Sequence, residues 1–232
     1  MTSDEALSRT SGSDRAAGVT GVVVVAHGGQ SQSTEPTAAF QPAVLRMVPV
    51  ARAIRQALRG QGAVVCRPRF ELRGWNGEQA SPVADLSRFL DWIGSQFGQV
   101  PVVLVGHSMG GRAAFRVAGH PSVSAVAGLA PWLPSIEPVE QLAGRRVLLV
   151  HGSADRVTSP AQTWAYAERA RAVAKVATIE IHNGEHTMLR RAGLWHEIAA
   201  EFTRLALGLP AGNTDVDAAI NGTAADYGRT VL

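Results

Sequence analysis

The chain has 232 residues, of which 46% are hydrophobic and 18% charged, with a formal net charge of +3 and one cysteine, Cys66. This length favours one domain with a sizeable core, and a single cysteine excludes both an intramolecular disulfide and a cysteine-rich metal site. The arginines are scattered and no apolar run reaches the length of a membrane span, so nucleic-acid binding and membrane insertion are disfavoured.

Composition divides the chain into three segments. Residues 1–18 are rich in Ser, Thr, Asp and Gly and are expected to form a disordered leader. They lack the apolar centre of a signal peptide, which favours a cytoplasmic location. Residues 210–232 contain few large apolar groups and are expected to be a flexible tail. The domain itself is therefore predicted to span residues 19–209.

Within this domain, short apolar runs alternate with segments of helical periodicity. The runs are Val22–Ala26, Ala63–Cys66, Val102–Val105, Val123–Ala127, Val147–Val150 and Val176–Ile181. The predicted helices are Val44–Leu58, Val83–Phe97, Met109–Ala118, Ala161–Ala174 and Leu194–Leu207. Runs without polar alternation are typical of strands buried on both faces of a parallel sheet. The pattern predicts an α/β fold with a doubly wound, mostly parallel sheet of about six strands flanked by helices.

Two local features refine the predicted helices. Pro49 lies inside the first one and predicts a kink or break near Met47 and Val48, because proline removes a helical hydrogen bond. Ser81 and Pro82 precede the second, which suggests an N-cap followed by proline at the first helical position.

The third apolar run leads into Gly106-His107-Ser108-Met109-Gly110 and then into a helical segment. A buried strand, a tight turn with one serine between two glycines, and a helix are the context of a nucleophile elbow. The glycines allow the two backbones to approach, and the N–H groups at the helix start suit a developing oxyanion. Ser108 is therefore a candidate nucleophile.

Polar residues follow three other predicted strands. The first run ends in His27-Gly28-Gly29-Gln30, the fifth is followed by Asp155, and the sixth by His186. The carboxyl ends of parallel strands lie at one edge of the sheet, where functional residues of such folds gather. We therefore expect these residues to lie near Ser108.

On these motifs the chain resembles the serine hydrolases of the α/β-hydrolase fold, which carry their triad in the order Ser…Asp…His. The resemblance extends over about residues 19–209. The family's first two strands have no counterpart in this chain. The resemblance implies Ser108 as nucleophile, His186 as base and Asp155 as the acid that orients it. It also implies an oxyanion hole made by the backbone N–H groups of Met109 and Gly29.

Several residues compete for these roles. Gln30 is the second choice for the oxyanion loop and a candidate substrate contact. Asp85, Asp91 and Glu185 are alternative acids, and His182 and His196 are alternative bases, although each is less well placed in the predicted elements. His27 and His107 are interpreted as walls of the site, since no pair of histidines has metal-ligand spacing. No metal or cofactor is expected.

Trp75 and Trp132 fall in loops at the functional edge, where they either line a substrate pocket or pack locally. Only Leu129 to Arg145 separates the fourth run from the fifth, which is too short for a lid domain. We therefore expect an open site that cleaves small carboxylic esters or thioesters through an acyl-enzyme. Acyl transfer or C–C hydrolysis on the same triad, and a non-catalytic binding protein with this fold, are the alternatives. The oligomeric state cannot be predicted.

Overall fold

The computed structural model describes residues 18–212, 214–221 and 230–232. Its strands form one parallel sheet in the order β2-β1-β3-β4-β5-β6-β7. The strands are β1 Gly21–Ala26, β2 Ala63–Cys66, β3 Val102–His107, β4 Val123–Leu129, β5 Arg146–Gly152, β6 Lys175–Ile181 and β7 Thr230–Val231. The helices are α1 Pro42–Ala57, α2 Ser81–Phe97, α3 Met109–Val117, α4 Pro160–Ala170, α5 Ala192–Ala206 and α6 Thr214–Asn221.

The sheet confirms the predicted doubly wound α/β fold. Each of the six predicted runs lies within one of the strands β1 to β6, and β7 adds two residues at the edge beside β6. In β1, Val22 and Val24 face one core while Val23 and Val25 face the other. Because successive side chains of a strand point to opposite faces, burial on both sides requires an unbroken apolar run.

Helices cover both faces of the sheet. Side chains of α2, α3 and α4 pack in the first core, and those of α1, α5 and α6 pack in the second. This arrangement leaves the carboxyl ends of the central strands free to present loops. None of the described helices is both long and apolar enough to cross a bilayer.

The first helix is not broken at its internal proline. Of the kink or break predicted near Met47 and Val48, the break is absent, because the helix continues through Pro49 from Pro42 to Ala57. Met47 and Val50 are both buried against the sheet. Tertiary packing on either side of the proline outweighs the loss of one helical hydrogen bond.

The start of α2 also differs. Ser81 is the first helical residue and not the N-cap, a position that Ala80 occupies with a left-handed backbone. The N–H of Ser81 donates to the carbonyl of Trp75, and the Ser81 hydroxyl lies 3.3 Å from the Asn76 amide. These contacts hold Ser81 against the preceding loop, and the helix begins at this residue.

The predicted tail contains ordered elements where the structure describes it. Residues Thr214–Asn221 form α6, and Val216 and Ile220 are buried in the second core. Their spacing of four residues places both on one helix face. The segment predicted to be a tail, residues 210–232, therefore includes a helix that packs on the second core. The predicted leader lies outside the described residues, apart from Gly18.

Candidate active site

Ser108 sits in a sharp turn between β3 and α3 with a left-handed backbone, at φ 53° and ψ −120°. A side chain on Gly106 would overlap the backbone of Gly110, and one on Gly110 would overlap the carbonyl of His27. The turn is therefore built on close backbone contacts that only glycine permits. A non-glycine residue held at positive φ is strained, and such strain is common at functional sites.

The structure brings Ser108, His186 and Asp155 together in one hydrogen-bonded chain. The Oγ atom of Ser108 is 3.0 Å from Nε2 of His186, and Nδ1 of His186 is 2.8 Å from Oδ2 of Asp155. Asp155 lies in the loop after β5 and His186 in the loop after β6. This arrangement can transfer a proton from the serine hydroxyl to the imidazole while the carboxylate supports the resulting cation.

The carboxylate of Asp155 is heavily hydrogen-bonded. Its Oδ1 atom accepts the backbone N–H groups of Val157 at 2.7 Å and Thr158 at 3.0 Å. Its Oδ2 atom lies 3.0 Å from both the Thr158 hydroxyl and Nε2 of His151. Burial alone would raise the pKa of Asp155, but hydrogen bonds from His151, His186 and the backbone outweigh it and hold that pKa below its usual range. The acid is therefore ionised at neutral pH.

His151 and Thr158 are functional neighbours that the sequence did not reveal. His151 is completely buried, and its second ring nitrogen lies 2.8 Å from the Thr163 hydroxyl. The Thr158 hydroxyl lies 3.1 Å from Nδ1 of His186, so it touches both the acid and the base. A signal for His151 exists in its position four residues before Asp155 across a glycine-containing turn.

The competing acids are engaged elsewhere. Asp85 accepts the backbone N–H of Glu71 at 2.8 Å, and Oδ1 of Asp91 lies 3.3 Å from Nε2 of His120, just after α3. Glu185 accepts the hydroxyl of Thr187. Asp155 is the carboxylate that contacts His186.

The candidate oxyanion donors lie beside the serine. The N–H of Met109 is the first of helix α3, and Gly29 packs so closely against Met109 that a Cβ atom would overlap its side chain. The N–H of Gln30 donates to the carbonyl of Arg73 at 2.8 Å, whereas no hydrogen bond within the described ranges uses the N–H of Gly29. Gly29 is therefore the better candidate, while the exposed side chain of Gln30 can contact a substrate.

A family model described as the alpha/beta hydrolase fold matches residues 21–146, more than half of the chain. The chain belongs to this family. The match includes the oxyanion loop, β3 and the serine elbow, and so confirms the resemblance inferred from the sequence motifs. A search of curated proteins finds no match.

Solved structures of low sequence identity share the fold of this α/β hydrolase. An α/β serine hydrolase homologue from Coxiella burnetii is 19% identical with a TM-score of 0.57, covering 78% of this chain and 84% of that one. Est1E from Butyrivibrio proteoclasticus is 15% identical with a TM-score of 0.59, covering 82% and 90%. A Xanthomonas campestris α/β serine hydrolase without lid is 18% identical with a TM-score of 0.57, covering 85% and 86%.

In this α/β hydrolase, replacing Gly29 with alanine tests the oxyanion loop. The added methyl group would collide with the backbone carbonyl of Arg73 and with the end of the Met109 side chain, and so displace the N–H of Gly29. We expect kcat for an ester to fall by about 10²–10³ with a smaller change in KM, as for loss of one oxyanion donor. Gly94→Ala is the matched control, because a Cβ there meets nothing within 4 Å. An equal fall of kcat in both variants, or an unchanged kcat in Gly29→Ala, would contradict the assignment of Gly29 as an oxyanion donor.

Two buried histidines brace the site. Nδ1 of His27 is 2.7 Å from the carbonyl of Gly28, and its Nε2 accepts the N–H of Phe70 at 3.1 Å. Nε2 of His107 is 2.9 Å from the carbonyl of His186. Burial lowers the pKa of His27 to about 4, and burial together with His186 lowers that of His107 to about 3. Both rings are therefore neutral at neutral pH, where they hold the oxyanion and histidine loops in place.

The two candidate substrate tryptophans have different surroundings. Trp75 is only 3% exposed and belongs to the first core. The guanidinium of Arg112 lies 3.9 Å from the Trp75 ring centre and 4.4 Å from that of Trp132. The side chain of Trp132 is partly exposed, and its backbone N–H donates to the backbone carbonyl of Ser108 at 3.1 Å. Local packing therefore accounts for Trp75, while Trp132 is the better candidate for a substrate contact.

A buried ion pair fixes the segment between β4 and β5. Glu137 is 1% exposed and binds both Arg112 and Arg116 of α3. Its backbone carbonyl also accepts a hydrogen bond from Arg169 at 2.9 Å. The segment that was too short for a predicted lid domain is thus fastened to α3, the helix that follows Ser108.

Replacing Glu137 with glutamine should destabilise the fold markedly. The change leaves Arg112 buried without its anionic partner, and breaking a buried pair in this way typically costs about 3–5 kcal/mol. Urea denaturation monitored by tryptophan fluorescence measures the free energy of unfolding. Glu71→Gln, which removes an ion pair with Arg88 that is exposed on both sides, serves as the control and should change stability little. Similar stability of the two variants would contradict the structural role of Glu137.

Proposed function

We propose that this protein is a serine hydrolase that cleaves small carboxylic esters through an acyl-enzyme. The observation that carries the proposal is the hydrogen-bonded chain from Ser108 through His186 to Asp155. It stands at a strained elbow beside two candidate oxyanion donors. Membership of the α/β-hydrolase family supports hydrolytic chemistry in general, and the named residues and the ester substrate are our assignment.

The geometry suggests the following reaction. Oγ of Ser108 attacks the ester carbonyl carbon while Nε2 of His186 takes the hydroxyl proton. The carbonyl oxygen becomes an oxyanion that accepts hydrogen bonds from the N–H groups of Met109 and Gly29. The C–O bond to the alcohol then breaks, and the imidazolium gives its proton to the departing oxygen. Ionised Asp155 stabilises the imidazolium throughout.

The second half of the reaction uses the same groups. Water attacks the acyl-enzyme carbonyl while His186 accepts one of its protons, and a second oxyanion forms in the same position. Collapse of this intermediate breaks the bond to Ser108, which recovers its proton from His186. The products are the carboxylic acid and free enzyme.

The preference for small substrates follows from the segment between β4 and β5. Residues 130–145 contain only a three-residue 3₁₀ helix, Glu140–Leu142, and Glu137 fastens the segment to α3. No lid domain stands over Ser108 in this part of the chain. An uncovered site suits small acyl groups that diffuse in from water.

Two measurements test the proposal. The purified protein should hydrolyse p-nitrophenyl acetate and butyrate, and a thioester and an amide of the same acyl group should establish the preferred bond. A fluorophosphonate probe should label one residue, which peptide mapping should identify as Ser108. Absence of both turnover and labelling would overturn the proposal and favour a binding protein that retains the fold.

A further inference from the structure

A cleft of about 290 Å³ lies between α1 and the chain that follows His186. This volume is near the lower end of small-molecule pockets, which begin at about 300 Å³. The apolar side chains on its walls are Pro42, Leu45, Pro49, Met188, Leu189 and Ala192. Thr187 and Met188 directly follow His186, so one wall begins at the residue next to the candidate base.

The cleft exposes large apolar side chains to solvent. Leu45 is 50% exposed and Leu189 is 71% exposed. The polar side chains in the lining do little to reduce the apolar character of the cleft. The Arg46 guanidinium donates to the backbone carbonyl of Thr187, and burial lowers the pKa of His196, which favours its neutral form. An apolar ligand would therefore gain free energy by covering these walls.

The proposed reaction determines which half of an ester can reach the cleft. The departing alcohol oxygen must come within hydrogen-bond distance of Nε2 of His186, because that atom returns the proton. The carbonyl oxygen must instead face Gly29 and Met109. The alcohol half of the substrate therefore lies on the side of His186, and residues 187–189, which directly follow His186, line the cleft.

We propose that the cleft between α1 and residues 187–192 binds the alkyl chain of the alcohol half of the ester. This inference rests on the proposed function and gives it a preference for esters of aliphatic alcohols. The acyl half gains no comparable contact from this cleft, so chain length should matter more on the alcohol side than on the acyl side.

Two ester series test this distinction in a pH-stat assay of the full chain. Methyl, butyl and hexyl acetate vary the alcohol, and methyl acetate, butyrate and hexanoate vary the acyl group. We expect kcat/KM to rise about tenfold or more from methyl to hexyl acetate, as burial of methylene groups allows. A steeper rise along the acyl series, or no rise along the alcohol series, would overturn the proposal.

A matched pair of variants tests the location. Leu45→Asp places a charge in the cleft and should reduce the hexyl-to-methyl acetate ratio at least fivefold. Ile136→Asp makes the same type of change at a side chain that is 79% exposed and outside the cleft lining, and should leave the ratio unchanged. An unchanged ratio in Leu45→Asp, or equal reductions in both variants, would overturn the assignment to this cleft.

Hexan-1-ol separates failure of the inference from failure of the proposed function, because its binding needs no turnover. Titration with hexan-1-ol, followed by NMR of methyl-labelled protein, should shift the signals of Leu45, Met188 and Leu189 in wild type. If the protein hydrolyses no ester but these signals shift, the cleft binds an alkyl chain while the proposed function fails. If esters are hydrolysed and the signals do not move, the cleft proposal fails alone.

Discussion

Replacing Ser108 with alanine should lower kcat for p-nitrophenyl butyrate by about 10⁶, the scale seen when a serine nucleophile is removed from a triad. The reason is that the variant keeps His186 and the candidate oxyanion donors but has no atom to form the acyl bond. Initial-rate and burst-phase assays measure the loss, and the burst of p-nitrophenol should disappear. The far-ultraviolet circular dichroism spectrum should match that of wild type.

Ser95→Ala is the control for this variant, because the Ser95 hydroxyl donates to the carbonyl of Trp92 and accepts from the amide of Gln96, both within α2. Its kcat should equal that of wild type. Residual activity in Ser108→Ala within a factor of ten of wild type would remove Ser108 as the nucleophile.

Replacing Asp155 with asparagine should lower kcat by about 10⁴, as expected when the base is held in the wrong tautomer. The carboxylate accepts hydrogen bonds on both oxygens, including Oδ2, which two histidines contact. Asparagine has only one accepting oxygen, so either the two histidines or the backbone N–H groups of Val157 and Thr158 lose their acceptor. Steady-state assays measure the loss, with Asp91→Asn as the control. A loss smaller than tenfold would contradict the role of Asp155.

The same substitution has a predictable pH dependence. The folded-state pKa of Asp155 is lowered, so its charge stabilises the folded state above the ordinary carboxyl pKa of about 3.9 and this contribution is lost as pH falls further. The difference in free energy of unfolding between wild type and Asp155→Asn should be constant from about pH 5 to 8 and shrink in more acidic solution. Urea denaturation from pH 8 into the acidic range tests the sign of this pH dependence. A difference that grows on acidification would contradict the lowered pKa.

The sequence predicts the sheet and the position of the candidate triad because both follow from short-range rules. The run Val22–Ala26 is apolar at every position since both faces of β1 are covered. Ser108, Asp155 and His186 each follow a strand of a parallel sheet, so topology alone brings their loops to one edge. The glycines around Ser108 mark the turn that permits this approach.

Other features depend on contacts that no local pattern encodes. Proline at position 49 predicts a break, yet the packing of its neighbours preserves the helix. The stacking of Arg112 on Trp75 and its ion pair with Glu137 require three segments that are distant in sequence to meet. The attachment of His151 to Asp155 depends on how the chain turns after β5. Side-chain rotamers and loop curvature decide such contacts, and composition and periodicity say little about either.

The order in which the triad residues occur along the chain has a consequence during synthesis. Ser108 and His186 are 78 residues apart, and Asp155 lies between them. At a translation rate of 5–20 residues per second, the ribosome takes roughly 4–16 s to add His186 after Ser108. On the proposed assignment, the growing polypeptide carries a serine without its base throughout that interval. The proposed hydrolytic activity therefore arises only after β6 and the loop that follows it have joined the sheet.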